Sequence, residues 1–480
     1  MKRICLLPAI IATLSNVNSV QAQELVSAEF QFQYSAFLIS FSSPFPTDFP
    51  VDFYRITYTT TDTDGESTVA SGALAIPVSG ACNSFPMVSY AHGTVLERYN
   101  VPSEASISNP TEGLLIVALA SSGYIGVAPD YLGLGEDEGV HPYVHAESQA
   151  TATLDLISAA REFLETLDQQ DNGQVFITGY SQGGHAAMAA LKYAQDNNMV
   201  DELGIVAGAP LSGPYDMSNS QANLILGDDP YLTPGYVIYL LVSYQSVYGN
   251  LYTELSDIIV EPFATEVAPY FDGEQDEFSM AVVNNILPNL ISEFMQDSVL
   301  TNFEDNPNHP LRVALEDNDL FDWTPDMPLR MFYCDGDEQV VFTNSTTAEQ
   351  VMNDNGAADV ASENVLPGAN HGDCVEPALF AAYDFFDALA SECSSTLSVS
   401  EVKEKAITIW PNPARDLVQI DFSLGKGQMA LYDVNGRLLK EQMVNSELSN
   451  FDVSNLPDGN YILTITHHGA QYGTLLVVKK

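Results

Sequence analysis

The chain has 480 residues, 46% of them hydrophobic and 17% charged, and a formal net charge of −48. That length exceeds one ordinary domain and that composition excludes wholesale disorder, so two or three folded units are expected. Between residues 23 and 395, six basic residues (Arg55, Arg98, Arg161, Lys192, Arg312, Arg330) face 55 acidic ones, a surface that repels nucleic-acid phosphates and anionic headgroups and suits solubility in a saline medium.

The chain opens Met1-Lys2-Arg3, continues with an apolar run from Ile4 to Leu14 and reaches Val20-Gln21-Ala22. A basic start, a short apolar centre and a small-x-small site predict a signal peptide over 1–22. Ser15, Asn16 and Asn18 interrupt the run too early for a transmembrane anchor, and no later stretch is long and apolar enough to be one. The mature protein is therefore expected to be soluble outside the cytoplasm. There the even set Cys82, Cys334, Cys374 and Cys393 predicts two disulfides, free buried thiols being the alternative.

Phe53 to Thr60 and Val69 to Ile76 alternate around Asp62-Thr63-Asp64-Gly65 and predict an antiparallel hairpin. Short apolar runs follow at Met87 to Tyr90, Tyr124 to Ala128, Val175 to Thr178, Ile205 to Ala207 and Leu329 to Tyr333, as buried parallel strands require. Helical stretches lie between them, clearest at Ala146 to Leu167, Gln182 to Asp196 and Glu376 to Leu389. The alternation predicts a mostly parallel sheet with helices on both faces, with reactive groups at the carboxyl ends of the strands. Residues 214–323 lack strand alternation, carry Tyr, Leu, Val and Phe at helical spacing, and read as an inserted lid or cap.

Gly179-Tyr180-Ser181-Gln182-Gly183 stands between the run Val175-Phe176-Ile177 and an alanine-rich helix. This is the nucleophile elbow in its strand-turn-helix context, with glycines where Cβ atoms would collide in so sharp a turn. An idle serine in a glycine-rich turn is the alternative. A hydroxyl is a weak nucleophile unless a base takes its proton, so a histidine and an acid are required downstream, in the order serine, acid, histidine. Of the histidines after Ser181, His185 precedes any acid, His309 lies in the insertion, and His467 and His468 lie near the C-terminus. His371 remains. The acid is expected after the strand ending at Tyr333, in Asp335-Gly336-Asp337-Glu338. Asp337 is preferred because an acid followed three residues later by a valine, here Val340, is the usual arrangement of this loop in the α/β-hydrolases that the elbow resembles, the valine anchoring it; Asp335 is the runner-up, with Glu338 behind it, and a calcium site is the rival use of these acids. Oxyanion donors are expected from the N–H of Gln182 and from Thr94 in Ala91-His92-Gly93-Thr94, with Gly93 as alternative and His92 as a structural support.

Taken together, Tyr90-Ala91-His92-Gly93-Thr94, Gly126 through Gly135, His141-Pro142-Tyr143 and Gly179 through Gly184 resemble the secretory lipases related to a Candida lipase A, over most of residues 50 to 391. The resemblance implies an α/β-hydrolase fold, carboxylic ester hydrolysis and an inserted lid over the site. Asp130 matches a strand-end residue of that pattern and is expected to be structural. Tyr236 to Val242 could line an acyl site or simply pack against neighbouring helices. Sheet geometry puts Cys334 and Cys374 at the catalytic edge and Cys82 and Cys393 at the opposite one, which predicts the pairs Cys334 with Cys374 and Cys82 with Cys393.

Residues 394–406 read as a linker that closes the hydrolase unit 23–393. Beyond it, Trp410-Pro411-Asn412-Pro413, Leu431 through Arg437 and Leu456 through Tyr461 punctuate alternating runs and predict a small all-β sandwich over 407–480. The three motifs resemble the sorting domain of the type IX secretion system of Bacteroidota, which implies export across the outer membrane by that machinery; a glycan-binding or adhesive module is the rival. The expectation is a secreted, monomeric serine hydrolase acting on a small-molecule or lipid ester through Ser181, His371 and Asp337, without metal or organic cofactor. A peptidase of the same fold and a non-catalytic binding protein are the alternatives.

Overall fold

The computed structural model describes residues 24–41, 43, 45–80, 82–106, 109–167, 169–227, 229–271, 280–391, 393, 407–422, 426–433, 438–444, 448–467 and 470–480. The expected signal peptide and linker lie outside the described residues. The body is built on a nine-stranded sheet whose strands are β1 (Leu25–Tyr34), β2 (Val51–Thr61), β3 (Ser67–Pro77), β4 (Ser84–Ala91), β5 (Ile125–Pro129), β6 (Gln170–Tyr180), β7 (Ile205–Leu211), β8 (Leu329–Tyr333) and β9 (Val360–Asn364). Their spatial order is β1-β2-β3-β5-β4-β6-β7-β8-β9. β1, β2 and β3 pair antiparallel, β3 meets β5 antiparallel, and every pairing from β5 to β9 is parallel.

Period-two alternation explains why the central strands read as unbroken apolar runs. In β6, Val175 and Ile177 join one core with Leu154, Ile157, Met188 and Leu191, while Phe176 joins the other with Ile116, Ala120 and Phe386. Helices Ala146–Thr166 and Gln182–Asp196 cover the first face; Gly113–Ser121 and His371–Asp387 cover the second. Val175, Phe176 and Ile177 are fully buried, each contributing about 1.5–3 kcal/mol. The sheet order reverses at β4: one crossover leads away to β5 and the next returns past β4 to β6. Ligands of open α/β sheets bind at such a switch point, outside the carboxyl ends of the strands.

Residues 214–323, entered after β7 and left before β8, contain only helical elements and turns among the described residues, apart from a single bridge between Ile259 and Met295. They close on a core that includes Ile238, Leu241, Tyr244, Ile259 and Phe294, joined from outside the insertion by Tyr143 and Val144. Helix Gly235–Tyr248 is apolar almost all round, as a helix buried on most sides must be, and stops at Gly249 in the left-handed conformation (φ 67°).

The last helix corrects the sequence reading. It starts at His371, not Glu376, because the Asn370 side chain caps it by accepting from Asp373 N at 2.8 Å. His371 is thus a first-turn residue instead of a loop residue, and Pro377 falls inside the helix. At the C-terminus, strands β10 (Ile407–Trp410), β11 (Leu417–Phe422) and β14 (Leu448–Asp452) form one antiparallel sheet. β13 (Leu438–Val444), β12 (Gly427–Asp433), β15 (Gly459–His467) and β16 (Ala470–Val478) form a second. Val418, Ile420, Phe422, Leu431, Phe451 and Leu463 are fully buried in the core these two sheets share.

Candidate active site

Ser181 sits between β6 and helix Gln182–Asp196 with φ 61° and ψ −118°, a conformation that costs a non-glycine residue on the order of 1–3 kcal/mol. Backbone bonds hold it there: Ser181 N donates to Leu211 O at 3.0 Å, and His185 N to Ser181 O at 3.2 Å. The glycines are needed for a reason slightly different from the expected one. A Cβ on Gly179 would strike the carbonyls of Gly183 and Ala91, and a Cβ on Gly183 those of Ala91 and His92. The clash is with the end of β4 as much as within the turn. The Ser181 side chain makes no hydrogen bond to a described residue and lines a cavity with Gln182, Val340 and, from the insertion, Met217, Leu240 and Phe303.

The loop after β8 sorts its three acids by partner. Asp337, 7% exposed, accepts from Gln339 N and Val340 N, each at 2.9 Å, and through its other oxygen meets His371 Nδ1 at 2.6 Å. Glu338 accepts from His371 N at 3.2 Å, and Asp335 from Gly368 N at 2.6 Å. Only Asp337 reaches the ring. With Nδ1–H donating to this carboxylate, the Nδ1–H tautomer of the imidazole keeps Nε2 as an acceptor. The Cys334–Cys374 disulfide ties the acid loop to the histidine helix at a Cα separation of 5.9 Å. Tyr180, the residue before Ser181, donates its hydroxyl to His371 O at 2.6 Å and so joins the elbow to the same corner. A second disulfide links Cys82 to Cys393.

The loop after β4 is held from both sides. His92, 1% exposed, contacts Gly93 O (2.7 Å) and Asp130 O (3.3 Å) through its ring nitrogens. Asp130 is fully buried, accepting from Ser71 Oγ and Ser103 N, and burial raises its pKa from the ordinary carboxylate value. Gly93 N donates to Glu112 Oε2 at 3.1 Å, an oxygen that also receives the Tyr90 hydroxyl at 2.7 Å. The Gly93 N–H is therefore already engaged, whereas no described residue accepts from the N–H of Thr94. The N–H of Gln182, first in its helix, lacks an intrahelical acceptor by position.

His185 is fully buried between Gln149 and Asn318, and burial lowers its pKa to about 4; it is a neutral packing residue. His309 accepts from Leu311 N as a helix cap. Among the described residues no group of three or more His, Cys, Asp or Glu side chains could hold a metal ion. Sequence reading missed Glu112 and Tyr180. Each acts across a long stretch of chain, and neither carries a local pattern that announces its partner.

Residues 100–371 match the secretory lipase family, and residues 408–479 match the secretion system C-terminal sorting domain. No curated protein matches the chain. Among solved structures, the rice cell wall degrading esterase LipA of Xanthomonas oryzae is 31% identical, with a TM-score of 0.64 over 76% of this chain and 96% of that one. Candida antarctica lipase A in its closed state shares the fold at 16% identity, with a TM-score of 0.58 over 77% of this chain and 83% of that one. No helix among the described residues is long and apolar enough to cross a membrane. With a family match over more than half its length and a sorting domain at its end, the chain belongs to the secretory lipase family and is a secreted carboxylic ester hydrolase.

Proposed function

We propose that Ser181, His371 and Asp337 form the catalytic triad of an acyl-enzyme mechanism. His371 Nε2 takes the hydroxyl proton as Ser181 Oγ attacks the ester carbonyl carbon. The N–H groups of Gln182 and Thr94 receive the negative charge that develops on the carbonyl oxygen. Collapse of the tetrahedral intermediate breaks the bond to the alcohol oxygen, which leaves with the proton from His371. Water then repeats the sequence on the acyl-serine, releasing the carboxylic acid and restoring the hydroxyl. Asp337 holds the Nδ1–H tautomer and stabilises the imidazolium formed in each half-reaction.

The observation that carries this reading is the 2.6 Å bond from His371 Nδ1 to a nearly buried Asp337, joined through Tyr180 to a serine held at positive φ. The apolar wall that the insertion gives the cavity favours an acyl chain over a peptide. The unit 23–393, with 214–323 as its cap, does the chemistry. A linker at 394–406 and the sandwich 407–480 address it to the type IX machinery.

A fluorophosphonate probe, followed by p-nitrophenyl esters of increasing chain length, tests the proposal. Wild type should be labelled on the peptide bearing Ser181, and Ser181→Ala should be neither labelled nor active. An unlabelled wild type, or equal turnover by the mutant, would remove Ser181 from the mechanism.

A further inference from the structure

We propose that His141 and Tyr143 are positioning residues that set both oxyanion donors, and that insertion helix Gly235–Tyr248 clamps them in place. The inference rests on the assignment of Gln182 and Thr94 as those donors. Each donor's side chain is tied to the same short segment. Gln182, 2% exposed, presents Nε2 to His141 Nε2 at 2.7 Å, and Thr94 Oγ1 lies 3.1 Å from the Tyr143 hydroxyl.

The first bond requires an imidazole that accepts at Nε2. His141 Nδ1 lies 2.7 Å from Leu132 O and must donate there, which leaves Nε2 unprotonated. Burial lowers the His141 pKa to about 3, so this tautomer holds over the working pH range of a secreted enzyme. The segment cannot drift, because Val144, a β-branched residue, is held at φ 55°, a conformation that persists only where the surroundings enforce it.

The enforcement comes from the insertion. Tyr143 stacks on Tyr239 with ring centroids 4.5 Å apart and planes within 7° of parallel. Ser243 Oγ donates to His141 O at 2.6 Å, and the Tyr244 hydroxyl to Val144 O at 3.1 Å. The Tyr239 hydroxyl donates to Val95 O at 3.1 Å, on the residue after Thr94. Residues 239 and 243 are one helical repeat apart and share a face of Gly235–Tyr248. That face is fastened to the elbow side and to the oxyanion-loop side at once. This part of the insertion is thus a fixed roof that shapes the hole in which charge develops.

Tyr143→Phe keeps the stack and removes only the hydroxyl. It should lower kcat on a soluble short-chain ester about tenfold, less than loss of a donor itself, which costs about 10²–10³-fold. KM should stay within about twofold, since the donor that the hydroxyl positions is used chiefly in the transition state, and loss of one hydrogen bond should lower the melting temperature by no more than a few degrees. Thr94→Val keeps the backbone N–H but loses the hydroxyl; in that background Tyr143→Phe should have no further effect, a non-additivity that a purely structural role would not produce. Ser243→Ala should reproduce a smaller fall in kcat from the insertion side. Wild-type kcat in both Tyr143→Phe and Ser243→Ala, or additive losses with Thr94→Val, overturns the clamp while Ser181 labelling by fluorophosphonate stays intact. Loss of labelling in the wild type instead overturns the triad and oxyanion reading beneath it.

Discussion

The two walls of the cavity are made by opposite means. On the sheet side, where Ser181, Gln182 and Val340 line it, strand ends and a helix start hold Ser181 and the polar groups behind it with hydrogen bonds mostly to the backbone: Asp337 by Gln339 N and Val340 N, Ser181 by Leu211 O, Gly93 by Glu112. On the insertion side, Met217, Leu240 and Phe303 belong to a core built mostly from the insertion helices, with Tyr143 and Val144 packed into it. The first wall is specified atom by atom and the second by shape and volume, so the two should answer differently to substitution. Chemistry should fail all at once when a sheet-side group changes, and selectivity should drift when one of these apolar cavity residues of the insertion changes.

The largest effect tests the sheet side. Asp337→Asn should lower kcat by about 10²–10⁴-fold, because an amide can offer its N–H to Nδ1 and so favour the wrong imidazole tautomer. Asp335→Asn, whose carboxylate accepts from Gly368 N and from the Asn364 side chain and does not reach the imidazole ring, should stay within about fivefold. Steady-state kinetics on one ester decides the matter, and an equal loss in both variants would show that the acid loop works as a whole and not through one carboxylate.

The same contrast explains what could be read in the sequence. Ser181 and the central strands were legible because an elbow has a local pattern and a strand buried on both faces is an unbroken apolar run. Edge strands have no such run. β9 reads Val360-Ala361-Ser362-Glu363-Asn364 with only Val360 buried, and in β1 only Tyr34 is buried; neither was anticipated. The helix start at His371 was signalled by Asn370 and Asp373, but Gly372 and Pro377 argue against a helix there, so the cap was overlooked. His141-Pro142-Tyr143 stood out as a motif, yet its work is done at Gln182 and Thr94, 41 and 49 residues away. Hydrogen bonds at that range leave no periodicity behind.

The insertion wall is tested next. Leu240→Trp should fill part of the cavity, lowering kcat/KM for long-chain esters by about 10- to 100-fold while leaving acetyl or butyryl esters within about twofold. A uniform loss across chain lengths would mean that Leu240 supports the site and does not bound an acyl chain. A still smaller effect on turnover is expected for the Cys334–Cys374 bond, which closes a separation of 40 residues. Replacing both cysteines with alanine should destabilise the fold by about 4 kcal/mol in the chain-entropy account. Activity at low temperature should survive, since Glu338 and Asp337 still hold the histidine. Denaturant titration with parallel assays separates the two readouts.

The least effect on catalysis should come from pH acting on groups away from the cavity, and here too the two regions differ. The insertion core is lined with phenols such as Tyr239 and Tyr244, whose pKa values burial raises further above the ordinary range, so they stay neutral and indifferent to pH. The sheet body instead buries Asp155, which has the Thr60 hydroxyl as its donor and is pushed up by burial to about 7. Between its ordinary value and about 7 the native state holds a proton that the unfolded chain has released. Stability from this group is therefore complete below about pH 4 and is lost as pH rises through 7. His185 and His141 work in the opposite sense: lowered to about 4 and 3, they stabilise the fold above their ordinary value of 6.5, and that contribution is lost as pH falls toward those folded values. Asp155→Asn should raise stability by about 2 kcal/mol at pH 8 and change little at pH 4, with kcat unaltered. Denaturant melts at the two pH values test this, and equal shifts at both would mean that Asp155 acts through packing and not through its charge.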